Sequence, residues 1–292
     1  MREAHRVGPD ALRDATALLQ RARRSDARRG LLEAADLQYW SRVPRPTDTF
    51  PQIFWLDDDG PAAAVLATDW GGSVALDPIV LPGTPAAVVS AVLARGLDHA
   101  GESGLGSVQV VIDRADALMR DLLLARGFTL LDDAPMVVYD AWLAAPERPP
   151  VSALADGYRL ATRVATSSRP HHLVARSGPE VEARLLETSL YRPDLDLVVL
   201  DRDDQVAAYG LCWADPETGT GLVEPMRTED GHQGRGLARH VLTSGIDRLA
   251  DAGMDQVKIC FRPDNPTSRH LYVSSGFVPD KLTAVFEGVV SA

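Results

Sequence analysis

Only two cysteines, Cys212 and Cys260, occur among the 292 residues, and each sits inside a strand-like run. That excludes a disulfide framework. No stretch approaches the roughly 18 consecutive apolar residues of a membrane span. The opening MREAHRVGPD also lacks the apolar centre of a secretory signal. A cytoplasmic location is therefore expected, with no membrane partner. Positive charge is the scarcer sign, with 30 Lys and Arg against 41 Asp and Glu, a net charge of −11. Such a surface repels nucleic acid and anionic lipid. The nearest approach to a basic block, RARRSDARR at 21–29, interleaves its arginines with Ala, Ser and Asp. It reads as a solvated helix face, and no nucleic-acid partner is expected.

What is present is ordinary globular material, 45% hydrophobic and 24% charged, enough for one large core or two moderate ones. The length favours two domains. APERPPVSALADG at 145–157 is rich in Pro and Ala and without periodicity, so it reads as a linker. The expected organisation is a first domain over 1–145, a linker over 146–156 and a second domain over 157–292.

Before the linker, DALRDATALLQRARR and LLEAADLQYW have helical spacing, and QIFWL, PAAAVLATDW and SVALDPIVL read as strands. Thr84 and Pro85 are the expected N-cap and first position of the next helix. A strand SVQVVID, a helix ADALMRDLLLARG and a strand near PMVVYDAWL follow. After the linker the order returns: strand GYRLATRV, helix PEVEARLLETSL, strands LDLVVLD, QVAAYGLCWAD and GLVEPMRT, helix GLARHVLTSGIDRLADAG, strand QVKICFR, helix NPTSRHLYVSSG and a closing LTAVFEGVV. The letters repeat as well. Asp77-Pro78 matches Glu224-Pro225 at an offset of 147, and Gly127-Phe128 matches Gly276-Phe277 at an offset of 149. Two nearly equal offsets point to duplication of one fold.

Within the second copy, HQGRGLARH at 232–240 places two glycines at a helix entry. Backbone amides in such a loop, aimed by the start of a helix, suit an anionic ligand. No Gly-Lys-Ser/Thr follows, so it is not a Walker loop. Arg239 stands where a dinucleotide fingerprint needs its third glycine.

Gln233-Gly234-Arg235-Gly236-Leu237-Ala238 resembles the Gln/Arg-x-x-Gly-x-Gly/Ala loop of the GNAT family of acetyl-CoA-dependent N-acyltransferases. Downstream, Asn265, Leu271-Tyr272 and Gly276-Phe277 resemble that family's second motif, at the expected distance and on the expected elements. The resemblance covers about residues 156–290; the first copy shares only the pattern of elements. It implies an α/β fold of two tandem GNAT-like domains, each a mixed, mostly antiparallel central sheet flanked by helices. It implies acetyl-CoA as co-substrate and no metal. Gln233, Gly234, Arg235, Gly236, Leu237, Ala238 and Arg239 would form the pyrophosphate cradle. The strand GLVEPMRT would splay from its neighbour, with Met226 and Thr228 facing the pantetheine arm, and Asn265 would complete the cofactor site.

The implied reaction is direct attack of an amine on the thioester. Tyr272 stands where the family has its general acid; a phenol of pKa about 10 is only slightly uphill from a thiolate of about 8.5. Glu224 is the expected base, in an otherwise apolar run. Some relatives carry that glutamate two residues earlier, where this chain has Leu222, but period-two alternation keeps Glu224 on the same face. A structural carboxylate and a water-relayed base remain open beside it. Cys260 reads as core packing, His171-His172 as a surface pair, and His232 and His240 as helix-surface residues.

At the corresponding place the first copy reads LPGTPAAVV, where Pro82 and Pro85 remove amide donors. Leu123 replaces the tyrosine and Asp116 the asparagine. One acyl-CoA site per chain follows. The expected function is acetyl transfer to an amine of a small molecule or peptide; the alternative is an acyl-CoA sensor or scaffold that has lost turnover. Acceptor, acyl length and oligomeric state leave no mark on the sequence.

Overall fold

The computed structural model describes residues 1–132, 134 and 137–290. Along the chain run β1 (Arg2–Arg6), α1 (Gly8–Ser25), α2 (Ala34–Trp40), β2 (Gln52–Asp57), β3 (Gly60–Asp69), β4 (Val74–Val80), α3 (Ala86–Glu102), β5 (Ser107–Asp113), α4 (Ala117–Leu124), β6 (Thr129–Leu130) and β7 (Tyr139–Ala144). Then come β8 (Arg159–Thr162), α5 (Val174–Ser177), α6 (Val181–Leu186), β9 (Asp196–Leu200), β10 (Val206–Asp215), β11 (Thr220–Thr228), α7 (Leu237–Asp251), β12 (Gln256–Phe261), α8 (Pro266–Val273) and β13 (Val278–Val289). No described helix is long and apolar enough to cross a membrane.

The chain folds as two units. The first comprises Met1–Leu37, Pro44–Val138 and the segment from Lys281 onward; the second comprises Gln38–Val43 and Tyr139–Asp280. The first sheet has the order β1-β2-β3-β4-β5-β13 and the second β8-β9-β10-β11-β12-β7. In each, neighbours are antiparallel except one parallel pair, β4 with β5 and β11 with β12. Each is thus a mixed, mostly antiparallel sheet with helices, the α/β architecture that the resemblance implies.

The strand β5 shows why these residues build a sheet. Val108, Val110 and Ile112 alternate inward, into a core with Leu76, Leu93, Leu123 and Phe286. In the second unit β9 is buried at all five positions and β10 at nine of its ten. Both are covered on two faces, which explains their continuous apolar runs.

The terminal strands are exchanged. β7 ends the first half of the sequence but closes the second sheet, pairing with β12 from Gln256↔Ala144 to Phe261↔Tyr139. β13 ends the second half but closes the first, pairing with β5 from Thr283↔Asp113 to Val289↔Ser107. A cut at the Pro-rich segment therefore divides the copies in sequence without dividing the folded units. That segment is not a free tether either. The Ser152 amide donates to Thr243 Oγ1 at 3.0 Å, His240 Nδ1 lies 2.6 Å from the Ser152 carbonyl, and Leu154 and Ala155 pack beside Leu237 and Val241.

Three local expectations change. Thr84 does not cap α3; its hydroxyl donates to the Leu81 carbonyl, and Pro85 takes the N-cap position. The helix expected over PEVEARLLETSL shortens to α6, with α5 formed separately before it. Of the strand expected near PMVVYDAWL, Pro135 and Met136 lie outside the described residues, and the strand begins at Tyr139.

The repeat extends into the packing. A Cβ on Gly96 of α3 would stand 2.6 Å from Val65 Cγ2, and one on Gly245 of α7 would stand 2.5 Å from Cys212 Sγ. The two glycines are 149 apart and their partners 147, matching the motif offsets. In both units a helix approaches the sheet too closely for any side chain. Gly245→Ala is expected to destabilise the second unit by about 1–2 kcal/mol, because overpacking outweighs the roughly 1 kcal/mol gain in helix propensity. Urea unfolding followed by tryptophan fluorescence checks this; a stabilised variant would show that the contact relaxes freely.

Candidate active site

The strands β11 and β12 pair only at Thr220, Gly221 and Leu222. Beyond Leu222 the two part, while β11 keeps its other partner, β10, as far as Thr228. Register shifts on β10 between Gly210 and Cys212, opposite this point. The β12-facing edge of Val223–Thr228 thus presents backbone groups to a gap rather than to a strand, and a ligand rich in amides can pair with them. Met226 packs toward α7 with Leu242 and Val241. The Thr228 hydroxyl is buried and has no hydrogen-bond partner among the described residues.

The chain then makes a short helical turn at Asp230–His232 and reaches α7 through Gly234 and Gly236, with φ of 75° and 76°. That left-handed backbone is costly for a side chain, by about 1–2 kcal/mol. A Cβ at either glycine would meet nothing, so the requirement is conformational rather than steric. Gly236 caps α7 without a side-chain bond, and the first intrahelical bond runs from His240 N to the Gly236 carbonyl. The amides of Leu237, Ala238 and Arg239 are those that a helix start leaves for an anion. No acidic residue stands in the first turn of α7.

Side chains brace this loop. Gln233 Nε2 donates to Asp230 Oδ1 at 3.2 Å, and Arg235 donates to the Gly231 carbonyl at 3.4 Å. The Arg235 guanidinium stands 5.9 Å from the Tyr158 ring, whose hydroxyl lies 2.9 Å from His232 Nδ1. Arg239 donates to the Ser274 and Ser275 hydroxyls beyond α8. Leu237 is fully buried, so its side chain anchors the helix while its amide faces the loop. His232 thus braces the loop, and His240 is buried on Ser152, so neither is a simple helix-surface residue.

Asn265 caps α8, its side-chain oxygen accepting from Ser268 N at 3.1 Å. Asp116 does the same for α4 through Met119 N at 3.0 Å. The position has a capping role in both copies, which accounts for a short polar residue there without any ligand.

Tyr272 lies on α8, buried among Phe261 and Phe277 at ring distances of 5.6 and 6.3 Å. Burial pushes its phenol up to about 12, with the charges of Glu224 and Cys260 adding to the effect. Proton transfer to a thiolate of about 8.5 is then about 5 kcal/mol uphill rather than slightly so. Glu224 is half-buried, and its carbonyl accepts from Trp213 Nε1 at 2.8 Å. In the first unit Asp77 occupies the matching place, pushed up to about 7 by burial.

Cys260 is not core packing. It faces away from the α7 core and donates to Asp140 Oδ1 at 3.2 Å, and Lys258 Nζ lies 3.5 Å from Asp140 Oδ2. His171 and His172 are not on the surface either. His171 accepts from Leu173 N at Nδ1, so its proton sits on Nε2 and goes to Asp196 Oδ2 at 2.9 Å. Tyr191 donates to the same oxygen at 2.8 Å. His172 Nε2 is 3.1 Å from Asp196 Oδ1 but not aligned for a hydrogen bond. Burial alone would raise Asp196, but the hydrogen bond from His171 and the closeness of both imidazoles outweigh it and hold the carboxyl well below its ordinary range. The three residues are close enough together to suggest a cation site. In this bonding, however, His171 has no lone pair left for one. The sequence signals for these buried polar groups were Asp140, Asp196 and Lys258, single charges inside apolar strands.

A profile of the Acetyltransferase (GNAT) family matches residues 151–277. The mycothiol acetyltransferase of Beutenbergia cavernae is 31% identical over 146 residues, 46% of this chain and 49% of that protein. The match thus spans about half the relative's length. The mycothiol acetyltransferase of Clavibacter michiganensis subsp. michiganensis is 26% identical over 92% of this chain and 89% of its own. Among solved structures, a tandem GNAT protein from the clavulanic acid biosynthesis pathway superposes with a TM-score of 0.71 at 14% identity, covering 100% of this chain and 99% of that one. A GCN5-related N-acetyltransferase from Sphaerobacter thermophilus gives 0.62 at 15% identity, covering 99% and 96%. Residues 151–277, which hold the splayed strands and the glycine loop at a helix start, thus match the GCN5-related N-acetyltransferase (GNAT) family, and the whole chain shares its fold with a tandem GNAT protein.

Proposed function

We propose that the second unit binds acetyl-CoA and transfers its acetyl group to a primary amine by direct attack on the thioester. The observation that carries this reading is the parting of β11 from β12 after Leu222, leading straight into the two-glycine entry of α7. The pantetheine arm pairs with the open edge of β11 around Met226 and Thr228. The pyrophosphate rests on amides from Gly234 to Arg239, with Gln233, Arg235 and Arg239 at the rim. Asn265 shapes the α8 end of the gap through its cap.

The amine loses its proton to Glu224 as it attacks. As the C–S bond breaks, Tyr272 donates a hydrogen bond and then its proton to the sulfur. Two relatives are named mycothiol acetyltransferase, so a mycothiol-related amine is the first acceptor to assay, ahead of other small amines and peptides. The test is release of free CoA thiol from acetyl-CoA over that panel, with acetylated product identified by mass. Turnover with at least one amine supports the reading. Tight acetyl-CoA binding with no turnover on any amine would leave a sensor instead.

A further inference from the structure

The first unit keeps the parting of strands that marks the second. β4 pairs with β5 only at Ala75↔Gln109, yet it stays with β3 without a break in register from Val74 to Val80. The Leu81 amide donates to the Ala62 carbonyl at 3.2 Å. In an antiparallel ladder alternate residues turn their backbone groups to the same neighbour, so Ile79 and Asp77 also bond toward β3. The backbone groups of Pro78 and Val80 then face the side that β5 has left. Pro78 has no amide, so these two residues offer two carbonyls against one N–H, that of Val80. The open edge of β11 is different. The Glu229 amide donates to the Ala207 carbonyl, so Met226 and Thr228 face the gap there, each with an amide and a carbonyl.

Beside this acceptor-rich edge stands Asp77. It pairs with Leu66 on β3, and its side chain lies on the sheet face opposite to Leu76, which packs in the core with Leu93 of α3. Asp77 is half-buried. No hydrogen bond or ion pair from a described residue reaches its carboxyl, and burial alone pushes it up to about 7. A carboxyl in such a place is costly to ionise until a cation arrives.

We propose that the parted strands of the first unit form a second ligand site, which takes a phosphate-free primary amine with its ammonium group on Asp77 and the Pro78 carbonyl beside it. An ammonium brings three N–H donors and no acceptor, which is what an edge of carbonyls and a lone carboxyl can satisfy. A charge-assisted bond to the carboxylate is about twice as strong as a neutral one, and the partly buried setting strengthens it further. Val80, with an amide and a carbonyl turned the same way, gives the rest of the ligand one donor and one acceptor. Phosphate-bearing ligands are disfavoured, because the carboxyl repels them and Pro82 and Pro85 withhold the amides they need. The site therefore differs in ligand class from the acyl-CoA site, and it holds whether or not the second unit turns over.

The test is hydrogen exchange of the full chain at neutral pH with putrescine, a primary diamine, and with diacetylputrescine, which has the same carbon chain and no charge. Putrescine at about ten times its half-saturating concentration should slow exchange across residues 74–81 by about tenfold, because the ligand must leave before those amides open. The diacetyl compound should leave them unchanged, and so should putrescine in Asp77→Asn. Unslowed exchange in the native chain overturns the proposal. Equal protection by diacetylputrescine overturns it too, since the edge would then bind amides rather than an ammonium. Protection that survives Asp77→Asn places the amine elsewhere and also overturns it. If Asp77→Asn does not fold, Asp77→Ser, smaller and equally uncharged, takes its place with the same expected loss of protection.

Discussion

Replacing Tyr272 by Phe is expected to lower kcat for acetyl transfer by about 100-fold, the low end of what a positioned general acid contributes. Acetyl-CoA affinity should stay within about twofold, because the phenol meets the sulfur only as it leaves. The environment adds a second expectation. Burial pushes the phenol up to about 12. It therefore stays protonated across any practical assay, and no alkaline limb below pH 10 belongs to it. An alkaline limb near pH 9 that disappears in Tyr272→Phe would contradict this account of the phenol. So would unchanged turnover. The ring keeps its packing on Phe261 and Phe277 in the variant, so a stability loss is not the explanation to expect.

The second large effect concerns the exchanged strands. Phe286 on β13 is 2% exposed and sits in the first unit's core with Leu93, Val110 and Phe128. Phe286→Ala should cost the first unit about 3–5 kcal/mol, the usual price of emptying a buried aromatic site. Hydrogen exchange localises the loss. Amides of β5, which pairs with β13 from Ser107 to Asp113, should lose protection first. Faster exchange in β12, with β5 unchanged, would mean that the strand assignment is wrong. The glycine loop and its amides belong to the second unit, so acetyl-CoA should still bind one equivalent.

Much of the site was legible because its signals are local. The glycine pair and the helix entry after it depend on a few neighbouring residues and are written within about ten letters, whereas Asn265 read only as a cofactor residue and its capping of α8 emerged from the fold. The order of strands and helices followed from periodicity, for the same reason. The partners of β7 and β13 were not legible. Alternation tells which face a strand buries but not which neighbour it takes, and both strands could have closed their own copy's sheet. The place of residues 38–43 in the second unit was invisible because bonds such as that of Arg42 to Ser177 arise only when residues far apart in sequence are brought together. His171 and His172 read as surface from their Ser, Arg and Pro surroundings, yet Asp196 and Tyr191, some twenty residues on, bury them. Cys260 was misjudged for a related reason: its own strand gave no hint that Asp140 from another strand would meet it.

The repeat also explains the contrast between copies. Gly96 and Gly245 keep the same helix-to-sheet contact, and Asp116 and Asn265 keep the same cap, so the scaffold is shared. What differs is the ligand machinery. The first copy enters α3 through Pro85, which has no amide to offer, and places Leu123 where Tyr272 stands. Titration calorimetry of the full chain with acetyl-CoA tests the central claim most directly. One site per chain, weakened at least tenfold by Gly236→Val, is the predicted result; two sites of comparable affinity, or a site indifferent to Gly236, would contradict it.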